Sequence, residues 1–205
     1  MIRKRHNYYW IKMKTTLFLA RHGQTKWNKV HRFQGQLDSN LTQEGQQQSE
    51  KLALNLVTQQ IDLIVSSTLG RSVDSALICQ RILNIPIAQL NELNERNLGP
   101  WQGQYIADIK SDKNYHEILH QFTETSPLNG ESAVSCGSRI YQALKALATS
   151  HFNKKILVIF HGEALRCFLA KLGHNSSGNA YELFDNACLL PLTYLHGDDS
   201  FQLAK

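Results

Sequence analysis

No run of about 18 consecutive apolar residues occurs in this 205-residue chain, so it offers no candidate transmembrane helix. There is also no internal repeat and no low-complexity tract, which argues against a solenoid or a linker-like chain. Cysteine is scarce. Cys79, Cys136, Cys167 and Cys188 are scattered and form no Cys-x-x-Cys pair, so they read as reduced, mostly buried thiols of a cytoplasmic protein. Charged residues make up only 19% of the chain against 42% hydrophobic ones, enough apolar material for a real core and too much for wholesale disorder. The length fits one domain, or one domain carrying a small insertion.

Lys and Arg (22) outnumber Asp and Glu (17), a formal excess of +5 that first suggests a polyanionic partner. Residues 1–12 hold Arg3, Lys4, Arg5 and Lys12 and no acid, so the remaining body carries only +1. Neither nucleic acid nor a membrane surface is therefore expected as a partner. The segment lacks the apolar stretch and small-residue cleavage site of an export signal. Residues 1–12 are expected to be a disordered basic arm, or upstream sequence ahead of Met13, with the domain in residues 13–205.

Apolar runs and helical spacings alternate, which predicts an α/β domain: a three-layer sandwich with a mostly parallel central sheet and helices on both faces. Strands are expected at Thr16–Ala20, Ile61–Ser66, Pro86–Leu90 and Lys155–Phe160, with a terminal hairpin over Cys188–Leu195 and Phe201–Leu203. Helices are expected from Thr42, over Arg71–Leu83, over Ser132–Thr149 and over Ala164–Leu172. Gln104–Asn129 fits neither pattern and reads as a polar insertion.

The residues directly after the strands carry the chemistry. The first strand delivers Arg21-His22-Gly23, the second leads through Ser67-Thr68-Leu69-Gly70 to Arg71, and the strand ending at Phe160 delivers His161-Gly162. In an open parallel sheet the carboxyl ends of the strands line one crevice, so two histidines and two arginines should converge there. Such a cluster is unfavourable unless an anion sits within it, and phosphate suits the bidentate donors of arginine.

Arg21-His22-Gly23-Gln24-Thr25-Lys26-Trp27-Asn28 resembles the RHGxTxxN signature of the histidine phosphatase superfamily, in its phosphoglycerate mutase-like branch, of the alpha-ribazole or broad-specificity phosphatase type. The likeness continues in family order through Phe33–Gly45, Ser66–Arg71, Leu93–Gly103, Asn129–Ser132 and Phe160–Arg166. It implies His22 as the nucleophile forming a phosphohistidine, with Arg21, Arg71 and His161 clamping the transferred phosphoryl group. It places the general acid and base on Glu95, in Leu93-Asn94-Glu95, and leaves Glu92 as an exposed charge. Asn28, Gln34, Gly35, Arg96, Gly162 and Glu163 are the expected substrate contacts. No metal and no cofactor is expected, because the arginines already supply positive charge.

One motif competes. His116-Glu117-Ile118-Leu119-His120 matches HExxH, but Thr123 and Ser126 stand where the extended zinc-protease motif needs Gly and His. It reads as a solvated helix face. Two further alternatives concern activity. Between Gly103 and Gly130 the only basic residues are Lys110 and Lys113, and Glu163 stands where cofactor-dependent mutases have Asn. Both departures favour a phosphatase acting on a small phosphorylated metabolite over a phosphoglycerate mutase. A catalytically weak phosphate-binding or interaction protein on the same fold is the non-enzymatic alternative.

Overall fold

Buried apolar runs separated by amphipathic helices fold into one sheet in the computed structural model, which describes residues 13–174, 178 and 180–203. The expected arm at residues 1–12 lies outside the described residues. The strands are β1 (Lys14–Arg21), β2 (Leu63–Ser66), β3 (Ile87–Gln89), β4 (Lys155–Phe160), β5 (Leu189–Leu195) and β6 (Ser200–Leu203), in the order β3-β2-β4-β1-β5-β6. The first four in that order run parallel, while β5 and β6 add the antiparallel hairpin. Ile156 to Phe160 are all fully buried, because a parallel strand covered on both faces has no polar side to show.

The helices are α1 (Lys26–Lys29), α2 (Gln43–Leu56), α3 (Gly70–Leu83), α4 (Ile106–Ile109), α5 (Tyr115–His120), α6 (Ala133–Ser150), α7 (Gly162–Lys171) and α8 (Ala180–Leu183). Alternation along the strands splits the core into two layers. Leu17, Leu19, Ile156, Val158 and Phe160 pack against α6 and α7. Phe18, Ala20, Leu157 and Ile159 pack against α2 and α3. The sandwich therefore has its helices on both faces. Thr42 Oγ1 caps α2 by accepting from Gly45 N–H at 3.0 Å, and Ser132 Oγ caps α6 through Ser135 N–H at 3.0 Å.

The polar insertion is more structured than its composition suggests. Ile106, Ile109 and Tyr115, with buried Ile118 and Leu119, pack on Phe33, Leu98 and Trp101 as a third apolar cluster. The sequence pattern misses it because α4 and α5 have only 4 and 6 residues, too short for a helical period to show. His116 and His120 stack on α5 with ring centroids 4.8 Å apart, and Glu117 accepts from the Thr125 hydroxyl. Among the described residues no group of three His, Cys, Asp or Glu side chains could hold a metal. No described helix is long and apolar enough to cross a membrane. The four thiols are unbonded, three of them buried, and burial pushes Cys79 up to about 12.

Register sets up the site. Arg21 pairs with Phe160 across β1 and β4, and Ser66 pairs with Ile159 across β2 and β4. The three strands thus end level, and His22, Ser67 and His161 leave the sheet at one edge.

Candidate active site

The His22 backbone N–H donates to Phe160 O at 3.0 Å, which continues the β1–β4 ladder by one residue. Its ring Nδ1 lies 2.8 Å from Gly23 O. A carbonyl only accepts, so Nδ1 carries the proton and Nε2 keeps its lone pair. Arg71 Nε–H donates to that Nε2 at 3.2 Å. Burial, and then the charges of Arg71 and Arg21, hold His22 well below the usual histidine range, so the ring is neutral at neutral pH.

Arg71, in the first turn of α3, is fully buried and fixed on three sides. Its Nη1 donates to Leu37 O at 2.8 Å and to Asp38 Oδ1 at 3.1 Å, and its Nη2 donates to Gly35 O at 2.7 Å. Arg21 donates from Nη1 to Phe184 O at 2.6 Å, and its guanidinium lies 5.3 Å from the Tyr181 ring centre. His161 precedes α7, with its ring 5.3 Å from that of His22. Its Nε2 is 2.7 Å from Ser67 Oγ, which accepts from Leu69 N–H at 3.3 Å. Burial, and then Arg71, His22 and Arg21, lower His161 well below its ordinary value.

Glu95 follows the short 3-10 turn Asn91–Leu93 after β3. Its Oε1 accepts from Arg96 N–H and Ala164 N–H, both at 2.8 Å, and its Oε2 accepts from Glu163 N–H at 3.2 Å. The carboxyl therefore caps α7 from a distant segment, and α7 begins at Gly162 rather than at the expected Ala164. Burial, then the charge of Glu163, push Glu95 above the usual carboxylate range, against Arg71 and the backbone amides. Glu92 is exposed and lines a separate groove along α6.

Arg21, His22, Gln34, Gly35, Arg71, Glu95, Gly162 and Glu163 line one pocket together with Leu98, Ala180 and Tyr181. Asn28 stands beside it: Asn186 Nδ2 donates to both His22 O (3.1 Å) and Asn28 Oδ1 (3.3 Å). Among the described residues, Arg21 Nε, Asn28 Nδ2, His161 Nδ1 and Gln34 Oε1 are buried without a hydrogen-bond partner. Each such group costs about 1–3 kcal/mol if left unpaired, and of these Arg21 Nε and Asn28 Nδ2 are donors suited to an anion.

Arg96 and Glu163 are placed differently from the other expected contacts. Arg96 is fully buried behind the pocket lining, donating to Glu131 O, Ile118 O and Glu163 Oε2. Glu163 reaches the pocket wall, but its oxygens are occupied by Arg166, Arg96 and Ala180 N–H. Asp38 and Ser67 join the site although the sequence pattern does not single them out; each lies inside one of the family-like motif blocks. Leu98, Ala180 and Tyr181 are also unanticipated, and for Tyr181, delivered by the short α8, no local pattern announces the placement. Ser75 accepts from Gly23 N–H at 3.0 Å and donates to Arg71 O at 2.8 Å.

A neutral imidazole whose Nε2 accepts from an arginine, with a second arginine and a second histidine nearby at the carboxyl edge of an α/β sheet, is an arrangement suited to phosphoryl transfer. The chain belongs to the histidine phosphatase superfamily (branch 1), whose family model matches residues 17–205. Among curated relatives it is 28% identical to phosphoserine phosphatase 1 of Hydrogenobacter thermophilus over 158 residues, 76% of this chain and 75% of that protein. It is 32% identical to a probable phosphoglycerate mutase of Yersinia pestis, over 76% of this chain and 74% of that one. Among solved structures it is similar to a mycobacterial glucosyl-3-phosphoglycerate phosphatase, with a TM-score of 0.79 and 26% identity, covering 93% of this chain and 97% of the other. Phosphoserine phosphatase from Entamoeba histolytica gives a TM-score of 0.78 at 27% identity, covering 93% and 95%.

Proposed function

We propose that this protein is a metal-independent phosphomonoester hydrolase acting on a small phosphorylated metabolite through a phosphohistidine at His22. The observation that carries the reading is the buried His22 ring, its Nδ1–H on Gly23 O and its Nε2 facing the Arg71 guanidinium, in one pocket with Arg21, Arg71 and Glu95. A phosphoryl group seated there offers acceptor oxygens to the unpartnered Arg21 Nε. Nε2 attacks phosphorus in line, the ester P–O bond breaks, and Glu95 gives its proton to the departing alkoxide. Water then attacks the phosphohistidine, Glu95 takes a proton from it, and the P–N bond breaks to release phosphate and restore His22. Arg21, Arg71 and His161 hold the equatorial oxygens in both steps.

The similarity to phosphoserine and glucosyl-3-phosphoglycerate phosphatases supports hydrolysis of small phosphorylated metabolites. The mutase reading is favoured by the Yersinia relative. Against it, Lys110 and Lys113 are both exposed, and neither lines the pocket, so the insertion offers no cation for a second phosphate. A cytoplasmic location is part of the proposal, in keeping with the unbonded thiols.

The test pairs phosphate release from a panel of metabolites with a mutase assay primed by 2,3-bisphosphoglycerate. Steady phosphate release with little isomerisation supports a hydrolase. Isomerisation outrunning release establishes the mutase instead, and no turnover of any substrate, p-nitrophenyl phosphate included, leaves a binding protein.

A further inference from the structure

Glu163 is an ionisable group of the pocket wall that the proposed reaction leaves without a task. It is 3% exposed, and four hydrogen bonds fill both its oxygens. Oε1 accepts from Arg166 Nε at 3.1 Å and Ala180 N–H at 3.2 Å, while Oε2 accepts from Arg166 Nη2 at 3.0 Å and Arg96 Nη1 at 3.3 Å. Saturated in this way, it has no capacity left for substrate or for a travelling proton. It is also tied to Glu95, because its own backbone N–H donates to Glu95 Oε2.

We propose that Glu163 is a positioning residue for Glu95: a carboxylate locked in its ionised form by Arg166, Arg96 and Ala180 N–H, whose negative charge beside the Glu95 carboxyl retains the proton that Glu95 delivers to the leaving alkoxide. The inference rests on the reading of Glu95 as the acid. Two neighbouring buried carboxyls do not both ionise readily, and the one with the cations loses its proton first. Glu163 has two arginines in direct contact. Glu95 has backbone amides, and the charges facing it are Arg71 from α3, Arg139 from α6 and Glu163 from α7, with the Tyr181 hydroxyl from α8. Burial opposes ionisation of Glu163, but Arg166 and Arg96 outweigh it and hold it below the usual range, while burial and Glu163 hold Glu95 above it. Environments that push paired carboxyls apart assign the acid to the raised member.

The experiment is a pH profile of kcat for the full chain and its Glu163→Gln and Glu163→Asp variants, on glycerol phosphate and on p-nitrophenyl phosphate. In Glu163→Gln the basic limb on glycerol phosphate moves down by about one pH unit, the scale of one neighbouring charge. At neutral pH glycerol phosphate turnover falls about ten-fold more than that of p-nitrophenyl phosphate, whose leaving group departs without a proton. Glu163→Asp moves the limb back toward its original place. An unmoved limb, or equal losses on both substrates, overturns the proposal and leaves Glu163 structural.

Should Glu163→Gln fail to fold, carboxyl-carbon NMR of the unaltered protein decides. Glu163 stays ionised across the range in which Glu95 titrates, and a Glu163 that protonates before or with Glu95 overturns the idea. Normal alkyl-ester turnover by Glu95→Gln would instead remove the underlying reading of Glu95, a failure distinguishable from that of Glu163.

Discussion

Arg71 Nε–H donates to His22 Nε2 at 3.2 Å, so the guanidinium touches the ring nitrogen that holds the lone pair. The same guanidinium is held by the carbonyls of Gly35 and Leu37 and by Asp38. A phosphoryl group arriving at Nε2 therefore meets a charge already beside the point of attack, and Arg71 Nε–H turns from the ring nitrogen to a phosphoryl oxygen as the lone pair engages phosphorus.

Lysine in place of Arg71 keeps the charge but cannot reach Nε2, two carbonyls and a carboxylate from one planar fork. Arg71→Lys is expected to lower kcat/KM by about 100-fold or more, the scale of one transition-state donor. His22→Ala should abolish both turnover and covalent labelling by a radiolabelled phosphomonoester. Label persisting on another residue would remove His22 as nucleophile.

Glu95→Gln preserves the shape and an acceptor for the amides of Arg96 and Ala164, but carries no acidic proton. Inorganic phosphate should still bind, as read by calorimetry, while turnover of alkyl phosphomonoesters falls by about 100- to 10,000-fold. Turnover within a few-fold of the original would show that proton delivery lies elsewhere.

His22 and His161 both sit well below the ordinary value of 6.5, chiefly through burial. As acid is added the unfolded rings protonate near that value while the folded ones stay neutral. The unfolded state then holds more protons, and stability falls as pH drops below about 6.5. Urea midpoints measured at successive pH values should fall over that window, and replacing either histidine with Gln should flatten the slope. The same lowering keeps the proposed nucleophile, His22, neutral, so activity should persist into mildly acidic solution.

Ser75 Oγ joins Gly23 N–H to Arg71 O and so ties the loop carrying His22 to the helix carrying Arg71. Ser75→Ala leaves a buried amide unpaired and should cost about 1–3 kcal/mol in urea unfolding. Ser75→Thr restores the hydroxyl and should recover most of that loss. Equal stability of the Ala and Thr variants would show that the bond contributes nothing.

In the proposed reaction, positive charge at the phosphoryl group comes from Arg21 and Arg71, so a strong chelator is expected to leave turnover unchanged. His116→Ala, on the exposed face of α5, should do the same. Loss of activity on chelation, restored by zinc, would move the chemistry to a metal and revive the HExxH reading.

Local pattern carried much of the architecture. Lys155–Phe160 and Thr16–Ala20 were legible as strands because parallel strands buried on both faces must be continuously apolar. The convergence of His22, Arg71 and His161 followed from strand ends sharing one edge. The short α4 and α5 were not legible, since Ile118 and Leu119 become core only when Phe33, Leu98 and Trp101 come to meet them. Nor was the early start of α7, because its cap is Glu95, a residue far away in sequence.

The sequence by itself thus determined the fold class and the roster of chemical groups, through periodicity and residue type, which are local properties. Tertiary structure alone decided their states. The same glutamate side chain is raised at position 95, chiefly by burial, and lowered at 163 because the guanidinium groups of Arg166 and Arg96 contact the second carboxyl and not the first. Charge, burial and hydrogen bonding act over a few ångströms of space, and only folding brings those ångströms together.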